Sequence, residues 1–325
     1  MSQPLRIVTL HPFESHEIDR IKAAAPHASI DLTVCRSREE FAGNVQGAEV
    51  VYGEIKGDQL RSASKLKWVQ AGGAGVEWID EAMRESPVVL TNFARTFAPA
   101  IAETAMGMLL SLTRGISAYY MPQFHRREWK PIGTVKSADH SELASRTMGI
   151  AGLGGIGCAV ARCAAHGFGM RIVATDARPL HRPEYVAEVH DPSWFPEMAR
   201  RVDVLVAAAP HTPQTELMFS EPVFRSMKKT AYFLALSRGK LFDDMALVKA
   251  LQEGWIAGAG LDVFPVEPPP SSHPIFDCAN VVMTMHTSGW SPDRQTRLIE
   301  FFAENVTRYT EGLPLLNVVD KKLGY

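Results

Sequence analysis

A glycine-rich turn at residues 152–157 limits the folds open to this chain more than any other stretch. It follows a short apolar run and precedes a helix-like run, and its glycines have the G-x-G-x-x-G spacing. In that spacing Gly152 permits a tight turn, Gly154 lets backbone approach a pyrophosphate, and Gly157 lets the next helix pack closely. The helix start favours the phosphates' negative charge. The predicted pyrophosphate contacts are Gly152, Gly154, Gly155, Ile156 and Gly157.

An acidic residue follows at the distance that a dinucleotide fold requires. The apolar run 171–175 predicts a second strand, and Asp176 ends it, nineteen residues after Gly157 (176 − 157). A carboxylate there can accept hydrogen bonds from the adenosine ribose. Its charge would repel a 2′-phosphate, so we expect NAD, with NADP less favoured, although Arg178 could soften that preference. An ordinary βαβ unit with an acidic loop is the alternative interpretation.

The composition excludes several classes of protein. The 325 residues suit about two domains, and 46% hydrophobic with 22% charged residues is a globular composition. A net charge of −2 without a basic cluster argues against nucleic-acid binding. No apolar run approaches the ~18 residues of a membrane span, and the apolar run at the amino terminus is too short for a signal peptide. We expect a cytoplasmic protein with no metal site, whose four cysteines are buried free thiols.

Strands alternate with helices along the chain. Apolar runs predict strands at 5–10, 29–34, 49–52, 67–70, 88–91, 147–151, 171–175, 203–208, 231–235, 260–264 and 281–284. Helical spacing predicts helices at 14–25, 37–43, 58–65, 76–85, 97–121, 156–167, 221–228, 243–253 and 292–311. Such alternation is typical of parallel sheets covered by helices on both faces. The predicted fold class is therefore α/β, with two doubly wound parallel-sheet domains.

A second glycine-rich loop, at residues 71–76, follows the fourth predicted strand. Its three glycines stand between a strand and a helix, where successive exposed amides can form a nest. A nest of this kind can hold a carboxylate without a charged side chain. A loop that needs glycine only for its dihedral angles would have the same composition.

Three residues with acid–base or anion-binding side chains follow the later predicted strands. Ligands of an open α/β sheet bind at the carboxyl ends of its strands, where Arg238, Glu267 and His286 are predicted to meet. Carbonyl reduction needs a proton donor, for which His is suited at neutral pH, and a carboxylate would favour its charged form. Arg238 can hold a substrate carboxylate and polarise a carbonyl. Each residue alone could be structural, but the three together favour carbonyl reduction.

These segments resemble the family of D-isomer-specific 2-hydroxyacid dehydrogenases. The matching pieces are 71–76, 152–157, Asp176, 236–239, 260–264 with Glu267-Pro268, His286 with Ser288-Gly289, and the tail 312–319. The resemblance implies a Rossmann NAD-binding domain at 99–293 and a flavodoxin-like substrate domain formed by 1–98 and 294–325. It also implies an active site between the domains and a homodimer.

The resemblance further implies individual roles. The catalytic set is Arg238, Glu267 and His286. Cofactor contacts beyond the glycine turn are Asp176, Pro210, Leu236, Ser237, Asp262, Ser288 and Gly289, and substrate contacts are Gly73, Ala74, Gly75, Val76 and Arg238. The expected reaction is NAD(H)-dependent interconversion of small 2-oxo acids and D-2-hydroxy acids, with glyoxylate or hydroxypyruvate as the first candidates.

Two other functions are compatible with the same fold and similar residues. Formate dehydrogenase resembles the chain in fold but typically pairs Gln with the catalytic His, where this chain has Glu267. A non-catalytic NAD(H)-responsive binding protein of the corepressor type could keep the same three residues. The sequence does not rank the residues that shape the pocket, for which Tyr52, Trp78, Trp290 and a partner's segment 122–140 are candidates.

Overall fold

The computed structural model describes residues 3–130, 140–178 and 182–325, and the chain forms two compact units. The first unit comprises Met1–Phe97 and Ser291–Tyr325, and the second comprises Ala98–Trp290. Each unit contains one parallel sheet with helical connections. The predicted α/β fold class is therefore confirmed.

The first unit is built on five parallel strands in the order β2-β1-β3-β4-β5. Its strands are β1 Leu5–Thr9, β2 Ile30–Val34, β3 Val50–Tyr52, β4 Trp68–Gln70 and β5 Val89–Thr91. The helices that connect them are α1 Ser15–Ala23, α2 Arg38–Val45, α3 Gly57–Ser62 and α4 Glu81–Glu85. This strand order is that of flavodoxin-like sheets. Val8, Val51 and Val69 in the central strands are buried. Because helices cover both faces of the sheet, these strands do not alternate apolar with polar residues.

The second unit is built on seven strands in the order β12-β11-β10-β9-β6-β7-β8. Its strands are β6 Thr147–Ala151, β7 Arg171–Thr175, β8 Glu188–His190, β9 Val204–Ala207, β10 Tyr232–Ala235, β11 Gly258–Leu261 and β12 Val281–Met283. Its helices are α5 Ala98–Thr113, α6 Met121–His125, α7 Gly155–Phe168, α8 Phe195–Arg201, α9 Glu221–Ser226 and α10 Asp244–Gln252. The six strands β6 to β11 have the strand order of a Rossmann fold. The direction in which successive strands are added to the sheet reverses between β6 and β9.

The last helix, α11 Arg294–Thr310, belongs to the first unit. Its apolar stripe includes Leu298 and Phe302, and the Phe302 ring lies 4.9 Å from that of Tyr52 and 5.5 Å from that of Trp68. The tail then pairs with β5, where the Val319 amide donates to the Leu90 carbonyl at 2.8 Å. The first unit is thus assembled from both ends of the chain.

Several predicted elements differ from the structure. The single helix expected at 97–121 is wrong, because α5 ends at Thr113, Gly115 has a left-handed φ of 66°, and 116–120 is π-helical. The helix expected at 76–85 is only Glu81–Glu85, while β8 and α8 were not predicted. All four cysteines are free, but only Cys35 is buried, so the expectation of buried thiols is wrong for the other three. No helix among the described residues is long and apolar enough to cross a membrane.

Candidate active site

The glycine turn has the geometry that its spacing predicts. Gly152 has a φ of 93°, and a Cβ there would lie 2.6 Å from the Ala209 backbone. A Cβ at Gly157 would lie 2.1 Å from the Gly152 carbonyl oxygen. Neither position can accept a side chain without moving backbone, so the passage from β6 into α7 depends on both glycines.

The amino end of α7 is open on the side where a pyrophosphate would approach. Gly154 precedes the helix as its N-cap, and apart from its two chain neighbours no described residue lies within 4 Å of the place where its Cβ would be. The first amides of an α-helix have no partner within the helix, and its dipole favours an anion there. The residues present therefore fit a dinucleotide, although the individual contacts stay predictions.

Asp176 supports the glycine turn as well as ending β7. Its Oδ2 accepts the Leu153 amide at 2.8 Å, and its Oδ1 accepts the Arg178 amide at 2.9 Å. The side chain is 8% exposed, and the Arg178 Nε lies 3.6 Å from Oδ1. A carboxylate offers about four acceptor positions, so these bonds leave room for ribose hydroxyls. The ribose contact stays a prediction.

His286 and Glu267 form the pair that the sequence predicts. The Nδ1 of His286 lies 2.8 Å from the Glu267 Oε2, and the Glu267 Oε1 accepts the Phe264 amide at 2.8 Å. Their side chains are 49% and 38% exposed, respectively. An ionised carboxylate can only accept, so Nδ1 is the donor. Among the described residues, no group bonds to Nε2, which is the nitrogen available to a substrate.

Arg238 lies on the same edge of the sheet, after β10. Its Nη1 donates to the Ser237 carbonyl at 2.7 Å. The next residue, Gly239, would place a Cβ only 1.9 Å from the Phe264 carbonyl carbon. The loop that carries Arg238 therefore lies in backbone contact with the segment that leads to Glu267. Gly239 was not among the predicted site residues, although the Ser-Arg-Gly sequence contained the signal.

The remaining predicted cofactor contacts divide into two groups. Leu236, Ser237, Asp262 and Ser288 are buried. The Ser237 hydroxyl donates to the Ala209 carbonyl at 2.8 Å, and that of Ser288 donates to Asp262. Any contact from these residues to a cofactor would therefore use mainly their backbone. Pro210 and Gly289 are partly exposed at the strand ends.

In the first unit, the loop after β4 presents its amides. The Gly73 carbonyl accepts the Phe93 amide at 3.0 Å, and the Ala74 carbonyl accepts the Asn92 Nδ2 at 2.8 Å. Across the described ranges, no amide of residues 72–76 donates a hydrogen bond within the protein. Carbonyls bound on one side and free amides on the other are what an anion nest requires.

The candidate pocket residues have different surroundings. Tyr52 is buried among Phe13, Phe93 and Phe302 in the core of the first unit. Trp290 and Met285 are exposed beside His286 in the second unit. Of the segment 122–140, residues 131–139 lie outside the described part. Among the residues that the structure describes, no cluster of His, Cys, Asp and Glu could hold a metal ion.

Comparisons with known proteins identify related chains. Residues 106–288 match the family described as D-isomer specific 2-hydroxyacid dehydrogenase, NAD binding domain. A glyoxylate reductase from Korarchaeum cryptofilum is 33% identical over 276 residues, which cover 83% of this chain and 80% of that protein.

Solved structures extend the likeness to nearly the full chain. A D-isomer specific 2-hydroxyacid dehydrogenase family protein from Aeromonas salmonicida is 28% identical, with a TM-score of 0.80, covering 98% of this chain and 100% of that one. An NADPH-dependent glyoxylate/hydroxypyruvate reductase from Sinorhizobium meliloti, solved with NADP and sulfate, is 26% identical. Its TM-score is 0.79, and the match covers 98% of this chain and 99% of that one.

Proposed function

The chain belongs to the D-isomer specific 2-hydroxyacid dehydrogenase family, and we propose that it is an NAD(H)-dependent reductase of small 2-oxo acids. Membership makes it an oxidoreductase of oxo and hydroxy acids. The finer proposal is that the products are D-2-hydroxy acids and that glyoxylate and hydroxypyruvate are substrates. The names of the relatives from K. cryptofilum and S. meliloti support that choice.

The His286–Glu267 pair is the observation that carries the proposal. A 2-oxo acid that accepts a hydride develops negative charge on its carbonyl oxygen and needs a proton there. Glu267, 2.8 Å from Nδ1, holds the imidazole ring and leaves Nε2 to face the substrate. His286 would give the proton from Nε2 to the new hydroxyl, and in the reverse direction it would take that proton back.

Arg238 and the amides of the loop after β4 are proposed to bind the substrate. The planar guanidinium of Arg238 can bind a carboxylate and also polarise the adjacent carbonyl. The amides of Gly73, Ala74, Gly75 and Val76 would bind the carboxylate as a nest. Their lack of partners among the described residues supports this role.

We infer that the cofactor is NAD(H), which supplies the hydride when it is bound. The glycine turn and the amino end of α7 would hold its pyrophosphate, and Asp176 its adenosine ribose. The low exposure of the Asp176 carboxylate beside the Leu153 amide would oppose a 2′-phosphate. The S. meliloti relative is named as NADPH-dependent, so the ratio of turnover with NADH to turnover with NADPH tests this inference.

Steady-state rates test the proposal directly. Purified protein is assayed with NADH or NADPH against glyoxylate, hydroxypyruvate, pyruvate and bulkier 2-oxo acids. We expect turnover with NADH on glyoxylate and hydroxypyruvate, and a chiral product of D configuration from hydroxypyruvate. Turnover on none of these acids, with NADH still bound, would favour a binding protein of the corepressor type. Formate-dependent reduction of NAD would instead identify a formate dehydrogenase.

We also propose a homodimer that uses the segment 116–129. Its large apolar side chains are exposed in the isolated chain, with Phe124 at 72% and Trp129 at 98%. Clustered exposed apolar side chains mark interaction surfaces in otherwise polar exteriors. A second copy of this chain is the proposed occupant of this surface, in line with the family resemblance.

The cytoplasmic location of the protein also stays a prediction.

A further inference from the structure

The carboxylate of Asp262 accepts four hydrogen bonds, all from the loop that carries His286. Its Oδ1 accepts the Thr284 hydroxyl at 2.6 Å and the amides of Thr287 and Ser288 at 3.0 Å each. Its Oδ2 accepts the Ser288 hydroxyl. The residue is 3% exposed, so these bonds are shielded from water. In a buried site, losing such an acceptor leaves several donors unsatisfied.

His286 itself has an unusual backbone conformation. Its φ of 55° lies in the left-handed region, which residues with a Cβ rarely adopt. Its amide donates to the Asp262 carbonyl at 2.7 Å. Strained dihedrals of this kind persist only where the surroundings determine them, and here Asp262 supplies both a backbone and a side-chain anchor.

The same segment also fixes the partner of His286. Two residues beyond Asp262, the Phe264 amide donates to the Glu267 Oε1 at 2.8 Å. The strand end 262–264 therefore holds the histidine loop through Asp262 and the glutamate through Phe264. Both members of the pair are oriented by one short stretch of backbone.

We propose that Asp262 is a positioning residue that holds His286 in register with Glu267, with Thr284 and Ser288 as its partners. The inference deepens the proposed reductase function and rests on it. It differs from the role that the family resemblance implies for Asp262, which is a cofactor contact. Because three donors already occupy Oδ1, a cofactor group would have to compete with the loop for that oxygen.

The two roles differ in the kinetic constant that they change. A positioning residue acts on the orientation of the proton donor, so its loss lowers kcat and leaves cofactor affinity unchanged. A misplacement of about 1 Å can cost roughly 10²-fold in rate. A cofactor ligand acts on the bound dinucleotide, so its loss raises the Kd for NADH.

The test compares Asp262→Asn with the wild type in the full-length protein. The asparagine keeps the side-chain size but replaces one acceptor oxygen with a donor. We expect kcat with glyoxylate and saturating NADH to fall about 10- to 100-fold. The Kd for NADH, from fluorescence titration, should stay within about twofold. A Kd that rises at least tenfold while kcat is retained would overturn the proposal, and so would an unchanged kcat.

A matched pair at Thr284 separates hydrogen bonding from packing. Thr284→Val keeps the shape and removes the hydroxyl, while Thr284→Ser keeps the hydroxyl. We expect the valine variant to lose about 3- to 10-fold in kcat, as one hydrogen bond is lost, and the serine variant to stay near the wild type. Equal loss in both variants would contradict the assigned partner.

Hydrogen–deuterium exchange provides a readout that does not require turnover. Faster exchange of the Thr287 and Ser288 amides is expected in Asp262→Asn. The control is Asp203→Asn, because Asp203 accepts the Thr147 amide and Lys228 Nζ at the opposite edge of the same sheet. An equal kcat loss in the control would overturn the proposal. If the wild type turns over no 2-oxo acid, the proposed function fails, whereas unchanged exchange at 287–288 rejects the positioning role itself.

Discussion

The two ring nitrogens of His286 have separate tasks. Nδ1 is bound to Glu267, which is itself fixed by the Phe264 amide, so the ring has one defined orientation. In the proposed reaction, Nε2 exchanges a proton with the substrate. This arrangement makes the effect of deleting the ring distinct from that of weakening the cofactor site.

Replacing His286 with alanine tests that separation. We expect kcat to fall by roughly 10² to 10⁴, since general acid catalysis contributes about that much, with the Kd for NADH retained. His16→Ala is the control, because His16 pairs with Glu14 at 3.3 Å on the surface of the first unit. Near-normal turnover of the His286 variant would remove this residue from the reaction.

Asp176 allows a test of the proposed cofactor preference. In Asp176→Ala the charge that we propose to oppose a 2′-phosphate is lost, and the Leu153 amide loses its acceptor. The ratio of kcat/KM for NADH over NADPH should therefore fall about tenfold or more, since the ribose-binding acid discriminates the two cofactors. The KM for NADH should rise. Asp191→Asn, a change of another acid in the same unit, is the control and should leave the ratio unchanged. An unchanged ratio in Asp176→Ala would show that other residues set the cofactor preference.

The candidate site residues could be predicted from the sequence, but most of the hydrogen bonds between them could not. Arg238, Glu267 and His286 could be found because parallel strands place their carboxyl ends on one edge. The bonds of Asp262 could not, because they join residues more than twenty positions apart across two strands. Hydrogen-bond partners of this kind depend on register, which a single sequence does not specify.

Helices and strands were predictable where a local pattern was strong. The long helix expected at 97–121 fails because its apolar stripe runs on past Gly115, although the backbone turns there. Strand β11 begins at Gly258, two residues before the predicted start, in a Gly-Ala-Gly run with little strand propensity. A Cβ at Gly260 would lie 3.0 Å from the Met108 Cβ, so close packing against α5 selects these small residues.

At Gly239 the loop between β10 and α10 approaches the backbone of the segment after β11. In Gly239→Ala the new Cβ would lie 1.9 Å from the Phe264 carbonyl carbon, so backbone must move. We expect a loss of about 1–3 kcal/mol in unfolding free energy and at least a tenfold lower kcat. Gly107→Ala is the matched control, since it lies within α5 with open space around it. That change should be neutral or stabilise by up to about 1 kcal/mol.

Asp80 joins two helices of the first unit. Its Oδ1 accepts the Met83 amide at the start of α4, and its Oδ2 accepts the Gly57 amide at the start of α3, at 2.9 and 2.7 Å. The Met83 amide, followed by that of Gly57, holds the pKa of the Asp80 carboxyl below its ordinary value of 3.8. The stabilisation is therefore complete above that value and is lost as the pH falls through the lower pKa of the folded state.

Urea denaturation of Asp80→Ala measures this contribution. At pH 7 we expect about 1–2 kcal/mol less unfolding free energy than in the wild type, as for other lost N-caps. The difference should shrink as the pH falls below 3.8. Asp58→Ala, which removes only an exposed ion pair with Arg61, should cost less than about 0.5 kcal/mol. A difference that persists at the lowest pH would assign the effect to packing.

The proposed dimer surface can be tested on the intact protein. Phe124→Glu places a charge within the exposed apolar segment 116–129, and we expect the dimer to dissociate at micromolar concentration. Sedimentation velocity measures the mass. Met245→Glu, on the exposed face of α10, introduces the same charge elsewhere and should leave the mass unchanged. A dimer that survives Phe124→Glu and Trp129→Glu would place the contact on another surface.

The first unit is made of two separate segments of the chain, and this has a consequence for its folding during synthesis. Its five strands are complete by Thr91, but the helix that covers Tyr52 and Trp68 begins only at Arg294. The second unit, which is continuous, can therefore fold on the ribosome while one face of the first sheet still lacks its cover. Exposed aromatic surface in that interval is what chaperones recognise. Of the two units, the first therefore depends on a helix that is synthesised after the whole of the second unit.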